Sequence, residues 1–205
     1  MDALDLARAE RLEFADLLEG LTPDQWSAPT LCEHWRVRDV VAHILSYEGL
    51  PPAALARRFA AGRLRTDRIN ALAVAALAGT PPDELVAMLR RHATPTGLGA
   101  GFGGRIALTD NMIHQQDVRR PLGLPRVVAA DRLCVALDFA RWAPLIRGAW
   151  RARGVRLVAD DLDWAAGRGP EVRGSGEALL VVMAGRRDAL GDLSGPGVDR
   201  LAARV

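Results

Sequence analysis

The strongest constraint on this chain lies in one stretch, Thr109 to Gly123, which reads TDNMIHQQDVRRPLG. The residues around it predict a helix from about Arg105 to Arg119, stopped by Pro121 and Gly123. On that helix Asp110, His114 and Asp117 fall at i, i+4 and i+7, on the same face as Ile106 and Ile113. A face carrying two isoleucines is expected to pack inward. A carboxylate taken inward alone is costly, or surrenders its charge, unless something compensates. A divalent metal does so directly, because Asp and His one turn apart form a two-ligand platform. The plainer alternatives are a half-exposed face with hydrated polar groups, or a pairing of Asp117 with a nearby arginine.

A metal needs a third ligand from another segment. The remaining histidines are His34, His43 and His92. His34 lies in a loop. His92 follows Arg90 and Arg91 at a helix end, where a cation suits the helix dipole. His43 sits mid-helix on the flank of an apolar stripe, near Val40 and Tyr47. By itself it reads as an ordinary half-buried histidine; beside Asp110 and His114 it becomes the natural third ligand. Three protein ligands would leave coordination positions open, as a catalytic site requires.

Around these residues the chain reads as helical. Residues 3–20 carry Leu6, Ala9, Leu12, Phe14, Leu17 and Leu18 at helical spacing. Thr22-Pro23-Asp24-Gln25 is a helix start with a capping box, and Pro29 keeps that helix short. Val37, Val40, Val41, Ile44 and Leu45 form the stripe of the helix bearing His43, with a continuation expected to about Ala61 after the break at Gly49, Pro51 and Pro52. Two further pieces are predicted at 67–78 and 82–93, and another long helix at about Asp131 to Arg151. After Gly154 the texture changes: VRLVADDLDW alternates like a strand, PEVRG is a second strand candidate, and Glu177 to Ala184 is a short helix. The expectation is a mostly α fold, with a helical body over residues 1–153 and a small α+β C-terminal domain over 154–205.

Two glycine- and cysteine-bearing features carry less. GAGFGG places Gly99, Gly101 and Gly104 in a G-x-G-x-x-G spacing, but no strand precedes it, so it reads as a linker or lid rather than a dinucleotide loop. Cys32 neighbours His34, but sequence neighbours do not establish a nucleophile and its base. Structural burial is the expectation for both Cys32 and Cys134, and packing of the intervening loop is the expectation for Trp26 and Trp35.

Composition narrows the function class. The net charge is +2, and every basic residue is arginine, a compositional bias that marks no nucleic-acid or membrane surface. Two cysteines without zinc or redox spacing suit a reducing compartment. With no signal-peptide pattern and no apolar run long enough to span a bilayer, the expectation is a cytoplasmic protein.

The segment LTPDQWSAPTLCEHWRVRDVVAHILSYE resembles the N-terminal signature of the mycothiol-dependent maleylpyruvate isomerase family, a branch of the DinB-like four-helix bundles. DNMIHQQDVRRPLG resembles that family's second motif, and DLDWAAGRGPEVRGSGEALLVVMAGR is similar to its C-terminal domain. The resemblance implies a DinB-like bundle in which His43, Asp110 and His114 hold the metal. Asp110 stands where the family usually has Glu, one methylene longer. Asp117 would support a ligand from behind or pair with an arginine, and Arg186 would help bind an anionic substrate.

The implied metal is zinc, with nickel and iron as alternatives. The implied cosubstrate is mycothiol, the low-molecular-weight thiol of actinobacteria. The expected function is a mycothiol-dependent metalloenzyme, a thiol S-transferase or an isomerase, activating a thiol for attack on a small electrophile. The alternative is a non-catalytic bundle that binds a metal or a ligand.

Overall fold

The computed structural model describes residues 1–63 and 65–205, and they fall into two compact units, Met1–Pro125 and Arg126–Val205. The first holds seven α-helices among its described residues: α1 (Ala3–Glu19), α2 (Pro23–Ser27), α3 (Val37–Leu45), α4 (Pro52–Ala61), α5 (Thr66–Ala75), α6 (Pro82–Arg91) and α7 (Arg105–Leu122). Four of them close a ring, α1 packing on α6 and α7, and α3 packing on the same two. This is the expected four-helix bundle. Its core takes Phe14 and Leu18 from α1, Val40, Val41 and Ile44 from α3, Leu85 and Leu89 from α6, and Val118 from α7, all buried. Removing each such side chain from water contributes about 1.5–3 kcal/mol.

Local chemistry fixes the helix ends. The Asp2 carboxylate accepts from the Asp5 amide at 2.8 Å. Thr22 and Gln25 make the reciprocal capping box that the sequence predicts. In α1 the buried face differs from the expected stripe. Glu10 and Arg11 lie inward, whereas Leu12 and Leu17 are only partly buried. The Arg11 guanidinium meets Glu48 at 2.6 Å, both side chains 2% exposed, and donates to the His92 carbonyl at 2.7 Å. Glu48 also accepts from the Thr96 amide and hydroxyl. This pair ties α1 and the segment after α3 to the loop before α7. A buried charge with such partners is tolerated where an unpaired one is not.

That loop includes the Gly-rich stretch, where Gly97–Ala100 forms one 3-10 turn. Gly104 has φ 93°, and a Cβ there would lie 2.7 Å from Leu4 Cα. The glycine thus lets the start of α7 press against α1. Gly104 therefore has a packing role.

Helix α7 runs through Pro121 to Leu122 and ends at Gly123 in the left-handed conformation, φ 66°. Proline lacks the amide that would reach the Asp117 carbonyl four residues back. That carbonyl accepts instead from the Leu31 amide at 3.0 Å, in the loop between α2 and α3. The helix therefore passes the proline with its freed acceptor satisfied.

The second unit holds α8 (Ala130–Trp142), α9 (Gly148–Arg151), β1 (Arg156–Ala159), β2 (Ala165–Gly167), β3 (Glu171–Gly174), α10 (Gly176–Met183) and α11 (Val198–Ala202). The sheet order is β2-β1-β3, with β1 antiparallel to β2 and parallel to β3. The apolar α10 is the unit's central helix: Leu179 to Met183 are buried, and it packs on α8 and on the sheet.

Two expectations change here. The single helix expected over 131–151 is two helices, because the chain leaves helical geometry at Ala143, the residue before Pro144. The contacts also divide at 125/126 rather than at the expected 153/154, because α8 packs on α10.

Candidate metal centre

His43 on α3 and Asp110 and His114 on α7 come together: one donor atom from each lies within 4.8 Å of the others. The two imidazole rings stand nearly at right angles, 74°, with centroids 5.0 Å apart. His114 Nε2 is 3.5 Å from Asp110 Oδ1. Two ligands bound tetrahedrally at ordinary zinc distances sit about 3.4 Å apart, so this edge already has the separation a shared ion needs. The shorter carboxylate reaches the imidazole without the extra methylene.

Burial is graded across the set. His43 and His114 are 7% and 8% exposed, whereas the Asp110 side chain is 41% exposed. The site therefore has imidazoles set in the bundle and a carboxylate at its open side. Trp35 tilts over both rings, 4.9 Å from His43 and 6.2 Å from His114, and Tyr47 meets His43 edge-on at 5.6 Å. These aromatics limit how the imidazoles can turn. Tyr47 is itself held by a hydrogen bond from its hydroxyl to Asn70 at 3.0 Å.

Behind His114 stands Asp117, fully buried. Its Oδ2 lies 2.9 Å from His114 Nδ1 and accepts from the Cys32 thiol at 3.0 Å. A carboxylate can only accept, so Nδ1 carries hydrogen and Nε2 is the nitrogen that faces Asp110. A carboxylate behind a histidine in this way fixes the ring and raises its basicity toward a metal. Burial alone would push His114 toward its neutral form. The Asp110 charge, the Asp117 hydrogen bond and the neighbouring Cys32 outweigh it and hold the pKa well above that of ordinary histidine. Burial, partly offset by Arg58, raises the Tyr47 pKa, and Asp110 adds to it.

His34 and His92 take no part in this cluster. The His34 side chain is 87% exposed and pairs with Glu33 at 3.4 Å, while His92 caps α6. Arg186 belongs to the second unit, where it donates to the Ala184 carbonyl at 2.9 Å. Trp26 lies in the bundle core. Cys134 is on α8 and Cys32 is half-buried against His114 and Asp117.

Cys32 is the residue that reading by position undervalued. Its sulfur meets polar groups 82 and 85 residues away. The available signal was Pro121, whose missing amide leaves the Asp117 carbonyl open to a partner elsewhere.

The donor set fits a divalent cation on this geometry: two imidazoles, a carboxylate at 3.5 Å, and a buried acid orienting one ring. Residues 7–97 match the family model described as the mycothiol maleylpyruvate isomerase N-terminal domain, which bears out the resemblance read in the sequence. No curated protein matches the sequence. Two solved structures share the fold. A histidine-to-alanine mutant of the mycothiol-dependent maleylpyruvate isomerase superposes with TM-score 0.59 at 17% identity, covering 95% of this chain and 91% of that one. Another crystal structure of that isomerase gives TM-score 0.54 at 15% identity, with the same coverage.

Proposed function

We propose that this chain, with the maleylpyruvate isomerase fold and that family's N-terminal domain in its sequence, is a mycothiol-dependent metalloenzyme. It would act as a thiol S-transferase or an isomerase on a small electrophilic substrate. The observation that carries the reading is the convergence of His43, Asp110 and His114 with Asp117 seated behind His114. A non-catalytic metal carrier needs donors; it has less use for a site with an open, half-exposed carboxylate on one side and oriented imidazoles on the other.

His43, Asp110 and His114 would hold the ion, with zinc the first candidate and nickel or iron as alternatives. Bound there, a divalent ion lowers a thiol's pKa so that thiolate is present at neutral pH. Asp117 keeps the His114 proton on Nδ1, so Nε2 faces the site. Trp35 and Tyr47 hold the His43 ring and present apolar surface, which limits water beside the donors. Asp110, at the open side, would complete the donor set where the thiol approaches. Arg186 remains the candidate for a substrate carboxylate, and a cytoplasmic setting is part of the reading.

The test is metal analysis combined with thiol binding. The purified protein is expected to carry about one divalent ion per chain, lost in His43→Ala, and to bind mycothiol saturably. An ion retained without thiol binding would favour the binding-protein alternative, and neither ion nor thiol would sink both readings.

A further inference from the structure

His114 offers two nitrogens to two different donor sets. Nε2 faces Asp110, while Nδ1 faces Asp117 at 2.9 Å and the Cys32 sulfur at 3.6 Å. The Cys32 sulfur in turn lies 3.0 Å from Asp117 Oδ2. Sulfur, nitrogen and oxygen of these three residues lie within 4.8 Å of one another, as compactly as the His43 set. We propose that Cys32, His114 and Asp117 form a second, weaker cation site, filled by an added thiophilic divalent ion such as zinc or cadmium rather than by one carried through purification.

The geometry is close to what such an ion takes. Thiolate and imidazole on one tetrahedral zinc stand about 3.6 Å apart, and that is the observed sulfur–nitrogen separation. The two hydrogen-bonded edges, 2.9 and 3.0 Å, need to open by about half an ångström to reach ordinary ligand spacing. Charge favours the ion as well. Its entry releases the Cys32 thiol proton and shifts the His114 hydrogen from Nδ1 to Nε2, so that the Asp117 carboxylate and the Cys32 thiolate face the ion's two positive charges. The cluster goes from net negative to neutral, which offsets part of the cost of taking an ion from water, and the ion takes this place in exchange for one held on Nε2.

The sulfur also sets the selectivity, because thiolate favours zinc and cadmium over magnesium or calcium. The two sites are distinct in their donors. An ion on Nε2 stands on the far side of the ring from Cys32, so it cannot use the sulfur. The half-buried Cys32 loop gives the approach.

Cadmium titration of the metal-free full-length protein tests this, read by the ultraviolet thiolate-to-cadmium charge-transfer band. Wild type is expected to develop the band. Cys32→Ser is expected to lose it with its circular dichroism unchanged, while Cys134→Ser and His43→Gln retain it. Retention in His43→Gln separates this site from the first, whatever the fate of the proposed enzyme activity. No band in wild type, a band surviving in Cys32→Ser, or its loss in Cys134→Ser or His43→Gln overturns the proposal. Should Cys32→Ser fail to fold, mass spectrometry of iodoacetamide-treated wild type decides. Cadmium is expected to slow alkylation of Cys32 at least tenfold, and an unchanged rate rejects the site.

Discussion

At the scale of single residues, Asp117 is the most consequential side chain that would not itself touch the ion in the three-donor site. It is fully buried, and its partners include His114 and Cys32. Asp117→Asn keeps the size but no longer dictates which His114 nitrogen carries hydrogen. Removing such a partner costs about 10–100-fold in metal affinity. Competition with a chromophoric chelator reads this directly, and an affinity within twofold of wild type would refute the orienting role.

The second cysteine supplies a contrast. Burial, then the carboxylates of Asp138, Asp131, Asp163 and Asp161, raise the Cys134 pKa above the ordinary thiol value. Thiolate is the reactive form, and a raised pKa leaves less of it at any pH below that value. Alkylation of Cys134 is therefore expected to be slower than that of a free thiol at neutral pH and to accelerate as pH rises past the ordinary thiol range. A rate that levels off at or below that range would contradict the shift. His34 and His43 show the other lesson of this scale. Local sequence puts one in a loop and the other beside an apolar stripe, and the fold leaves the first in solvent and brings the second against His114.

At the scale of elements, α7 does more than present a face. Its periodicity places Asp110, His114 and Asp117 together whatever it packs against, which is why this face was legible beforehand. Pro121 then opens one carbonyl, and Leu31 fills it, drawing the loop that carries Cys32 onto the helix. Pro121→Ala would restore an amide that competes for the Asp117 carbonyl. Proline inside a helix ordinarily costs about 3 kcal/mol, so the substitution is expected to leave the protein at least as stable while loosening the loop. Hydrogen exchange at the Leu31 amide should become faster, and unchanged protection there would show that the loop is held by other contacts. The break between α8 and α9 belongs to this scale too. Pro144 announces it, and the apolar periodicity on either side obscures it.

At the scale of the molecule, the bundle unit supplies rigid supports for the donors, with α3 and α7 packed against each other. A ligand that binds the folded form and not the unfolded one stabilises the fold by mass action. Zinc at a hundredfold excess over its dissociation constant is expected to add about 2.7 kcal/mol and raise the melting temperature. A chelator should reverse the shift, and His43→Ala should diminish it. Melting unmoved by saturating zinc would count against the three-donor site. Among the described residues no helix is long and apolar enough to cross a membrane.

The sequence by itself determined the helices of the bundle, the capping box of α2, the apolar stripe of α3 and the shared face of Asp110, His114 and Asp117. All of these follow from short-range rules, the 3.6-residue period and the preferences of proline, glycine and capping side chains. The α1 face was harder, since Glu10 and Arg11 are inward only because Gln115, Glu48 and the His92 carbonyl are there to meet them. The tertiary structure alone decided that His43 stands 5.0 Å from His114, that Cys32 joins Asp117 from 85 residues away, and that α8 packs with α10. Such meetings depend on which surfaces bury each other when the whole chain packs, and no local spacing encodes that.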